Sequence, residues 1–204
     1  MQPLGSVERC RAGCHPAAAC QAAPRRVSNP PQVDNLPQIL ILALGNTLLQ
    51  DDGVGAELLS LIEQIAGTWG PAVELLDGGT SGLALLGEVQ GRSAVAFLDA
   101  VKLGAAPGSV HVICKKDLLG MSGRSSKTAH EGGATEILAA AQLLGSLPER
   151  IVVIGIEPEV VATGIGLSPA VKAGLGGALD RVVQFIDESL VEDRHVSGNT
   201  RKDH

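Results

Sequence analysis

Five short and almost uninterrupted apolar runs restrict the fold of this chain more than any other feature of its sequence. They cover residues 39–44, 73–76, 94–98, 110–113 and 151–156. A strand of a parallel sheet is covered on both faces, so it reads as continuous Val, Ile, Leu and Ala. The runs therefore predict a mostly parallel, five-stranded twisted sheet whose strands are buried on both faces.

Periodic apolar residues between the runs predict the helices that cover this sheet. Apolar side chains recur at steps of three or four over residues 54–65 and 137–144, which places them on one side of a helix. The last helix is the clearest, since Ser168 is a good N-cap, Pro169 suits the first helical position and an apolar stripe follows over 171–186. We therefore expect an α/β fold, a single three-layer domain with helices on both faces of the sheet.

Domain organisation follows from where this apolar pattern begins and ends. Residues 1–37 have no sustained apolar period and are rich in proline near their end, which is typical of a disordered N-terminal extension. The α/β domain is expected over residues 38–190, because the chain becomes polar after Glu188. Residues 191–204 are therefore predicted to be a polar C-terminal tail that frays.

Charge and composition exclude several classes of partner. The formal net charge is -6 and the only aromatic residues are Trp69, Phe97 and Phe185, whereas nucleic-acid binding needs a basic surface and usually aromatic stacking. No apolar run approaches the length that crosses a bilayer. The pair Arg25-Arg26 is followed by polar residues instead of an apolar signal core. We therefore expect no nucleic acid, no membrane insertion and a cytoplasmic location.

Cysteine positions exclude a disulfide framework for the fold. Cys10, Cys14 and Cys20 fall within the first twenty residues, and only Cys114 belongs to the body of the chain. The N-terminal cysteines lie near His15, so they belong either to a disordered tail or to a metal-binding arm. Cys114 has no neighbours that would activate its thiol and is interpreted as a core or incidental residue.

Metal-capable side chains follow three of the predicted elements. Asp51 and Asp52 come after the first run, Asp99 ends the third, and His130 closes a long connection over 114–129 that we expect to be a loop. Ligands of α/β sheets gather at the carboxyl ends of the strands. Two carboxylates and an imidazole suit a divalent ion such as nickel or zinc. We expect these side chains at an open surface site, with replacement of Asp51 milder than that of Asp52.

Each of these residues also has an ordinary structural interpretation. Asp51 or Asp52 could cap the helix that begins near Gly53, where a helix dipole favours a carboxylate. Asp99 could be a turn residue at the end of a strand, and His130 could be a structural histidine. It is their combination that favours a metal site.

The segment DGGTSG, residues 77–82, follows the second run and predicts a tight turn. Asp77 could simply accept hydrogen bonds from backbone amides there, or the turn could be a rim that binds an extended peptide through its main chain. The sequence lacks GxxxxGK[ST], GxGxxG after the first run, GxSxG and HExxH. Nucleotide kinases, Rossmann dehydrogenases, elbow-type serine hydrolases and zincins are therefore disfavoured.

Five segments together resemble the hydrogenase maturation endopeptidases. In chain order they are ILALGNTLLQDDGVGAELL, LLDGGTSGLALL, AFLDAV with LGAAPGSV, AHEGG, and VIGIEPE with GIGLSPAV. The resemblance covers residues 39–187 and leaves the N-terminal extension without a counterpart. It implies that the metal-binding and catalytic roles of the family fall here on Asp52, Asp99 and His130.

The resemblance also implies a substrate. An enzyme of this family is expected to remove the C-terminal extension of a [NiFe]-hydrogenase large-subunit precursor after recognising the nickel already seated in it. Nickel is then supplied by the substrate, and zinc or cadmium are expected to substitute at the same ligands. Two other interpretations remain: a non-catalytic nickel-handling or assembly factor for hydrogenase, and a small-molecule enzyme that binds phosphate or nucleoside at the DGGTSG turn.

Overall fold

A computed structural model describes residues 25–26, 39–120 and 133–199 of the chain. Most of the predicted extension, residues 1–24 and 27–37, lies outside the described residues, as do residues 200–204 of the predicted tail. Within the described part no helix is long and apolar enough to cross a membrane.

A six-stranded sheet forms the centre of the domain, in the order β1-β3-β2-β4-β6-β5. Neighbouring pairs among β2, β3, β4 and β6 are parallel, while β1 and β5 lie antiparallel at the two edges. All five apolar runs are strands, so the mostly parallel sheet of five predicted strands is confirmed, and β1 adds a sixth strand that was not predicted. The strands are β1 (Arg25–Arg26), β2 (Ile39–Leu44), β3 (Val73–Gly79), β4 (Ala94–Ala100), β5 (Val110–Cys114) and β6 (Arg150–Ile156).

Helices cover both faces of the sheet, which confirms the three-layer α/β domain. They are α1 (Val54–Glu63), α2 (Leu86–Val89), α3 (Lys115–Gly120), α4 (Ala134–Leu143) and α5 (Pro169–Asn199), with short 3-10 turns at Gln50–Gly53, Ala66–Thr68, Gly70–Ala72 and Gly82–Leu85. Helices α1 and α5 bury their apolar residues against one face. Helices α2, α3 and α4 bury theirs against the other.

The start of α5 forms as the sequence predicts. The amide of Val171 donates to Oγ of Ser168 at 3.3 Å, and Pro169 is the first helical residue. Val171, Val182 and Ile186 have no exposed surface and face the central strands. The helix is therefore fixed at one end by its cap and along its length by burial of the apolar stripe.

Two ends of the chain depart from the sequence predictions. Arg25 and Arg26, which fall in the expected disordered extension, pair with Asp77 and Leu76 of β3. Strand pairing uses backbone groups alone, so an apolar pattern does not reveal it. The second departure is α5, which continues to Asn199, beyond the domain end expected at residue 190.

An ion-pair network accompanies this continuation of α5. Arg150 at the start of β6 lies 3.0 Å from Glu188 and 2.7 Å from Glu192, one helical turn apart. The polar residues beyond Glu188 therefore continue a helix whose preceding turns are already packed, and propagation needs no further apolar stripe.

Three smaller expectations about the elements are wrong. The edge strand β5 is only partly covered, and Val112 is exposed, because a continuous apolar run does not reveal how many layers cover it. Ile65 and Leu144 lie beyond the ends of α1 and α4 and are exposed. The expected loop over 114–129 begins with helix α3, and its residues 121–129 lie outside the described residues.

Candidate functional site

The carboxyl ends of the four parallel strands meet at one edge of the sheet. The loops that follow β2, β3, β4 and β6 therefore lie together at this carboxyl edge. These four loops cover residues 45–53, 80–85, 101–109 and 157–168. Both predicted carboxylate ligands, Asp52 and Asp99, belong to this edge.

Asp52 lies in the 3-10 turn Gln50–Gly53, which folds back over the end of β2 and contacts β4. Its side chain has no exposed surface, and Oδ2 accepts the amide of Asn46 at 2.8 Å. The close return requires glycine at residue 45, which has φ +117 and whose missing Cβ would overlap the carbonyl oxygen of Asp52. The position of Asp52 is thus fixed by the shape of the turn.

Asp99 lies within β4, opposite Gly155 of β6. It also has no exposed surface, and its Oδ1 accepts the amide of Ala100 at 2.8 Å. Because β4 continues through Ala100, Asp99 is a strand residue and the turn interpretation is wrong. The expectation of an open surface site is also wrong for both carboxylates, since each is fully covered.

Helix α1 brings these two carboxylates to neighbouring strand ends. A Cβ on Gly55 would overlap the carbonyl oxygens of both Leu44 and Leu98. The first turn of α1 therefore sits directly on the ends of β2 and β4, which only glycine permits. Asp52 precedes this contact by three residues and Asp99 follows Leu98, so the two carboxylates belong to the adjacent ends of β2 and β4.

Asp51 has a different role from its neighbour. It is fully buried and accepts the amides of Glu159 and Val160 at 2.9 Å each and that of Ser168 at 2.6 Å. Burial alone would raise the pKa of Asp51, but these amides hold the pKa below its ordinary value of 3.8. The helix-cap interpretation is wrong, because neither the turn nor α1 has a side-chain cap. Asp51 instead ties down the loop after β6.

Glu157 was not among the residues selected from the sequence. It directly follows β6, is 5% exposed, and accepts the amides of Leu103 at 2.8 Å and Gly104 at 3.0 Å. Nε2 of His111 lies 3.0 Å from its carboxylate. Burial alone would raise the pKa of Glu157, but these hydrogen bonds lower it below the ordinary 4.5. Its place at the end of an apolar run was the signal that could have found it.

Asp77 of the DGGTSG turn accepts a backbone amide, as the structural interpretation of this turn expects. Oδ1 of Asp77 accepts the amide of Gly79 at 3.1 Å, and the carbonyl of Gly79 accepts the amide of Gly45 at 3.0 Å. The turn after β3 is thereby joined to the turn after β2. Peptide binding at this rim stays a prediction.

His130, the third predicted ligand, lies outside the described residues, as do Cys10, Cys14, Cys20 and His15. Over the described ranges, no group of three or more His, Cys, Asp or Glu side chains is arranged to hold a metal ion. The structure therefore brings two of the three predicted ligands to one edge, and the complete metal site stays a prediction.

Cys114 does not belong to the loops of the carboxyl edge and is not a core residue. It ends β5, is exposed, and its Sγ donates to Oδ2 of Asp117 at 3.0 Å. The core interpretation is therefore wrong, and the incidental one stands.

The fold and the edge carboxylates define the class of this protein as a doubly wound α/β protein with an acidic site at the carboxyl ends of its strands. Comparison with known proteins makes this specific. The HycI family, hydrogenase maturation protease, matches residues 59–185. The hydrogenase 2 maturation protease of Escherichia coli strain K12 is 33% identical over 158 residues, which cover 76% of this chain and 94% of that protein.

Solved structures agree with this assignment. The hydrogenase maturating endopeptidase HybD from Escherichia coli is 30% identical with a TM-score of 0.66, over 74% of this chain and 93% of that one. The [NiFe] hydrogenase maturation protease HybD from Thermococcus kodakarensis is 26% identical with a TM-score of 0.58, over 72% and 97%. The chain belongs to the hydrogenase maturation protease family, and it is a peptidase.

Proposed function

We propose that this peptidase removes the C-terminal extension of a nickel-loaded [NiFe]-hydrogenase large-subunit precursor. In this proposal Asp52, Asp99 and His130 contact the nickel ion that the precursor carries. The observation that supports it most is the placement of two buried carboxylates, one after β2 and one in β4, at the adjacent ends of two paired strands.

The donor set suits a borderline divalent ion. Carboxylate oxygens and an imidazole nitrogen bind nickel or zinc, and three protein ligands leave coordination positions for groups of the substrate. The amides of Asn46 and Ala100 orient the two carboxylates at 2.8 Å each, as outer-shell hydrogen bonds orient metal ligands in other sites. Zinc or cadmium would be accepted by the same donors.

Recognition of the substrate's ion would couple cofactor insertion to cleavage. An ion held both by the precursor and by the enzyme would fix the scissile bond in register, which is the geometric condition for fast chemistry. The ion would also polarise the scissile carbonyl or lower the pKa of an attacking water. A precursor without nickel would lack this bridge and would not be held.

Complete burial of Asp52 and Asp99 adds a condition to this proposal. An ion inside a partner protein can reach these carboxylates only after the groups that cover them shift. The enzyme alone is therefore expected to keep nickel weakly, and the loaded precursor should be the form that engages the site.

The proposal is tested by the mass of the precursor before and after incubation with the enzyme. Enzyme that has been treated with chelator, and then freed of it, should shorten nickel-loaded precursor by the mass of its extension. Untreated enzyme should leave folded, nickel-free precursor intact, because the ion belongs to the substrate. Efficient cleavage of the nickel-free precursor would contradict nickel recognition. Nickel transfer to the precursor without any change in its mass would indicate a non-catalytic assembly factor instead.

A further inference from the structure

Large apolar side chains are exposed on all four loops of the carboxyl edge. Leu48 follows β2 and is 61% exposed, and Ile165 follows β6 and is 88% exposed. Leu83 follows β3 and Leu103 follows β4, with 55% and 36% of their surface exposed. We call these four residues the apolar rim. Exposed apolar residues that cluster at one edge are typical of an interaction surface.

Leu48 and Ile165 lie on segments that run side by side. Leu49 forms a parallel bridge with Gly164, in which Gly164 donates its amide to the carbonyl of Leu48 at 2.9 Å and its carbonyl accepts the amide of Gln50 at 3.2 Å. The most exposed members of the apolar rim therefore belong to two joined loops. They form the most continuous part of this surface.

The four loops that carry the apolar rim expose few charged side chains. Five acidic or basic residues fall in the four loops, and three of them, Asp51, Asp52 and Glu157, are buried. Lys102 and Glu159 are the two that are exposed in these loops, all of whose residues the structure describes. An apolar surface with so few exposed charges fits a partner segment that is itself apolar and uncharged, because burying an unpaired charge is costly.

Buried carboxylates hold two of the four loops of the apolar rim in place. Glu157 binds the amides of Leu103 and Gly104, and Asp51 binds three amides of the loop that carries Ile165. A surface whose backbone is fixed before binding loses less conformational entropy when a partner docks. Two rim residues, Leu103 and Ile165, thus combine exposure with an anchored loop.

We propose that the apolar rim docks an uncharged, apolar segment of the hydrogenase large-subunit precursor and so positions it over Asp52 and Asp99. The inference rests on the proposed function and names the surface by which the enzyme binds its protein substrate. Binding at four loops around the carboxylates suits a macromolecule, whereas a small ligand would contact fewer of them.

The test compares two pairs of substitutions with similar exposure. Leu48→Ser/Ile165→Ser removes the two most exposed rim residues. Leu143→Ser/Leu144→Ser removes two residues that are 89% and 63% exposed at the end of α4, next to the amino edge of the sheet. The rim pair should raise KM for nickel-loaded precursor about tenfold and leave kcat within about twofold, since docking residues act on binding. The α4 pair should change neither constant, and both pairs should keep the wild-type Tm.

Every outcome of this comparison bears on the docking surface. Unchanged KM in the rim pair, or an equal rise of KM in both pairs, would overturn the docking proposal. Cleavage by the wild type would in that case still support the proposed function. If the wild type does not cleave at all, the proposed function fails, and the docking surface is then tested by direct binding of the precursor. The docking proposal is kept only if the Leu48→Ser/Ile165→Ser variant binds the precursor more weakly than the wild type. A wild-type dimer that the rim pair abolishes would show that a second copy of this chain occupies the surface, which also overturns the proposal.

Discussion

Adjacent residues of this site are buried alike and act differently. Asp51 and Asp52 have no exposed surface, yet Asp51 accepts three amides from the loop after β6 while Asp52 accepts the amide of Asn46 at the start of its own loop. Successive side chains of a tight turn point in different directions, so neighbours in sequence can meet different parts of the fold. The distinction decides which substitution should affect stability and which should affect catalysis.

Asparagine in place of either edge carboxylate should remove activity and keep the fold. The new side chain in Asp52→Asn or Asp99→Asn would still offer an oxygen to the backbone amide that the carboxylate accepts. Mutation of an outer-shell partner of a metal ligand already lowers metal affinity or activity by about 10–100-fold, so loss of a ligand itself should slow processing by about 100-fold or more. The same loss is predicted for His130→Ala. Cleavage rates by mass spectrometry and Tm values check this, and a matching fall in both quantities would instead indicate a structural role.

Replacing Asp51 should act mainly on stability, whereas the milder effect expected from the sequence concerns processing of the precursor. Asp51→Ala leaves the amides of Glu159, Val160 and Ser168 without their acceptor. Hydrogen bonds to a buried charge are strong, so we expect a loss of about 2–4 kcal/mol in the free energy of unfolding. Urea denaturation measures this, with Asp180→Ala on the exposed side of α5 as the control. A loss no greater than that of the control would remove Asp51 from its anchoring role.

At the scale of elements, apolar runs predicted all five strands, and the burial of four of them, but not the exposure of β5. Val73–Gly79 and Val110–Cys114 have similar apolar character, yet the first is buried and the second is an exposed edge. The position of a strand in the sheet depends on contacts between distant segments, which a local pattern does not contain. The end of an apolar run could have marked Glu157 as a candidate, but its anchoring role was not visible locally, since its partners Leu103, Gly104 and His111 lie more than forty residues away.

The anchor between Glu157 and the loop after β4 should make stability depend on pH. Because the folded-state pKa of Glu157 is lowered, its contribution is fully present above the unfolded value, near 4.5, and is lost as the pH falls through the folded value. Glu157→Gln should therefore lower Tm most at neutral pH, with the difference from wild type narrowing in acid below that value. Glu159→Gln, on an exposed neighbour, is the control. A difference in Tm that stays constant from neutral to acid pH would argue against this assignment.

At the scale of the whole molecule, the shortest chain that can fold must include the central strand β2. Strand β2 lies between β3 and β4 and its residues, Ile39–Leu44, are buried throughout. The boundary expected near residue 38 rests on the apolar periodicity that starts there, and it stays a prediction. The pairing of Arg25–Arg26 with β3 was not predictable, since it adds backbone hydrogen bonds without an apolar signature.

A chain that begins at Gln38 should fold and process the precursor. It keeps every residue of β2 to β6, and β1 is the one described element that it loses. Its Tm should therefore fall by no more than a few degrees, as expected for about 1 kcal/mol in a domain of this size. Thermal unfolding and cleavage of nickel-loaded precursor by the shortened and full chains provide the comparison. Aggregation of the shortened chain, or a much lower Tm, would place the domain boundary further towards the N-terminus.

The two buried anchors also affect how such an enzyme can diversify. Asp51 and Glu157 hold their loops by backbone amides, which every residue except proline supplies. The side chains at positions 103, 160 and 165 can therefore be exchanged over generations without loss of loop shape. A shared frame would then accept new surface chemistry for new substrates, and selectivity among precursors could evolve separately from the machinery that cuts them.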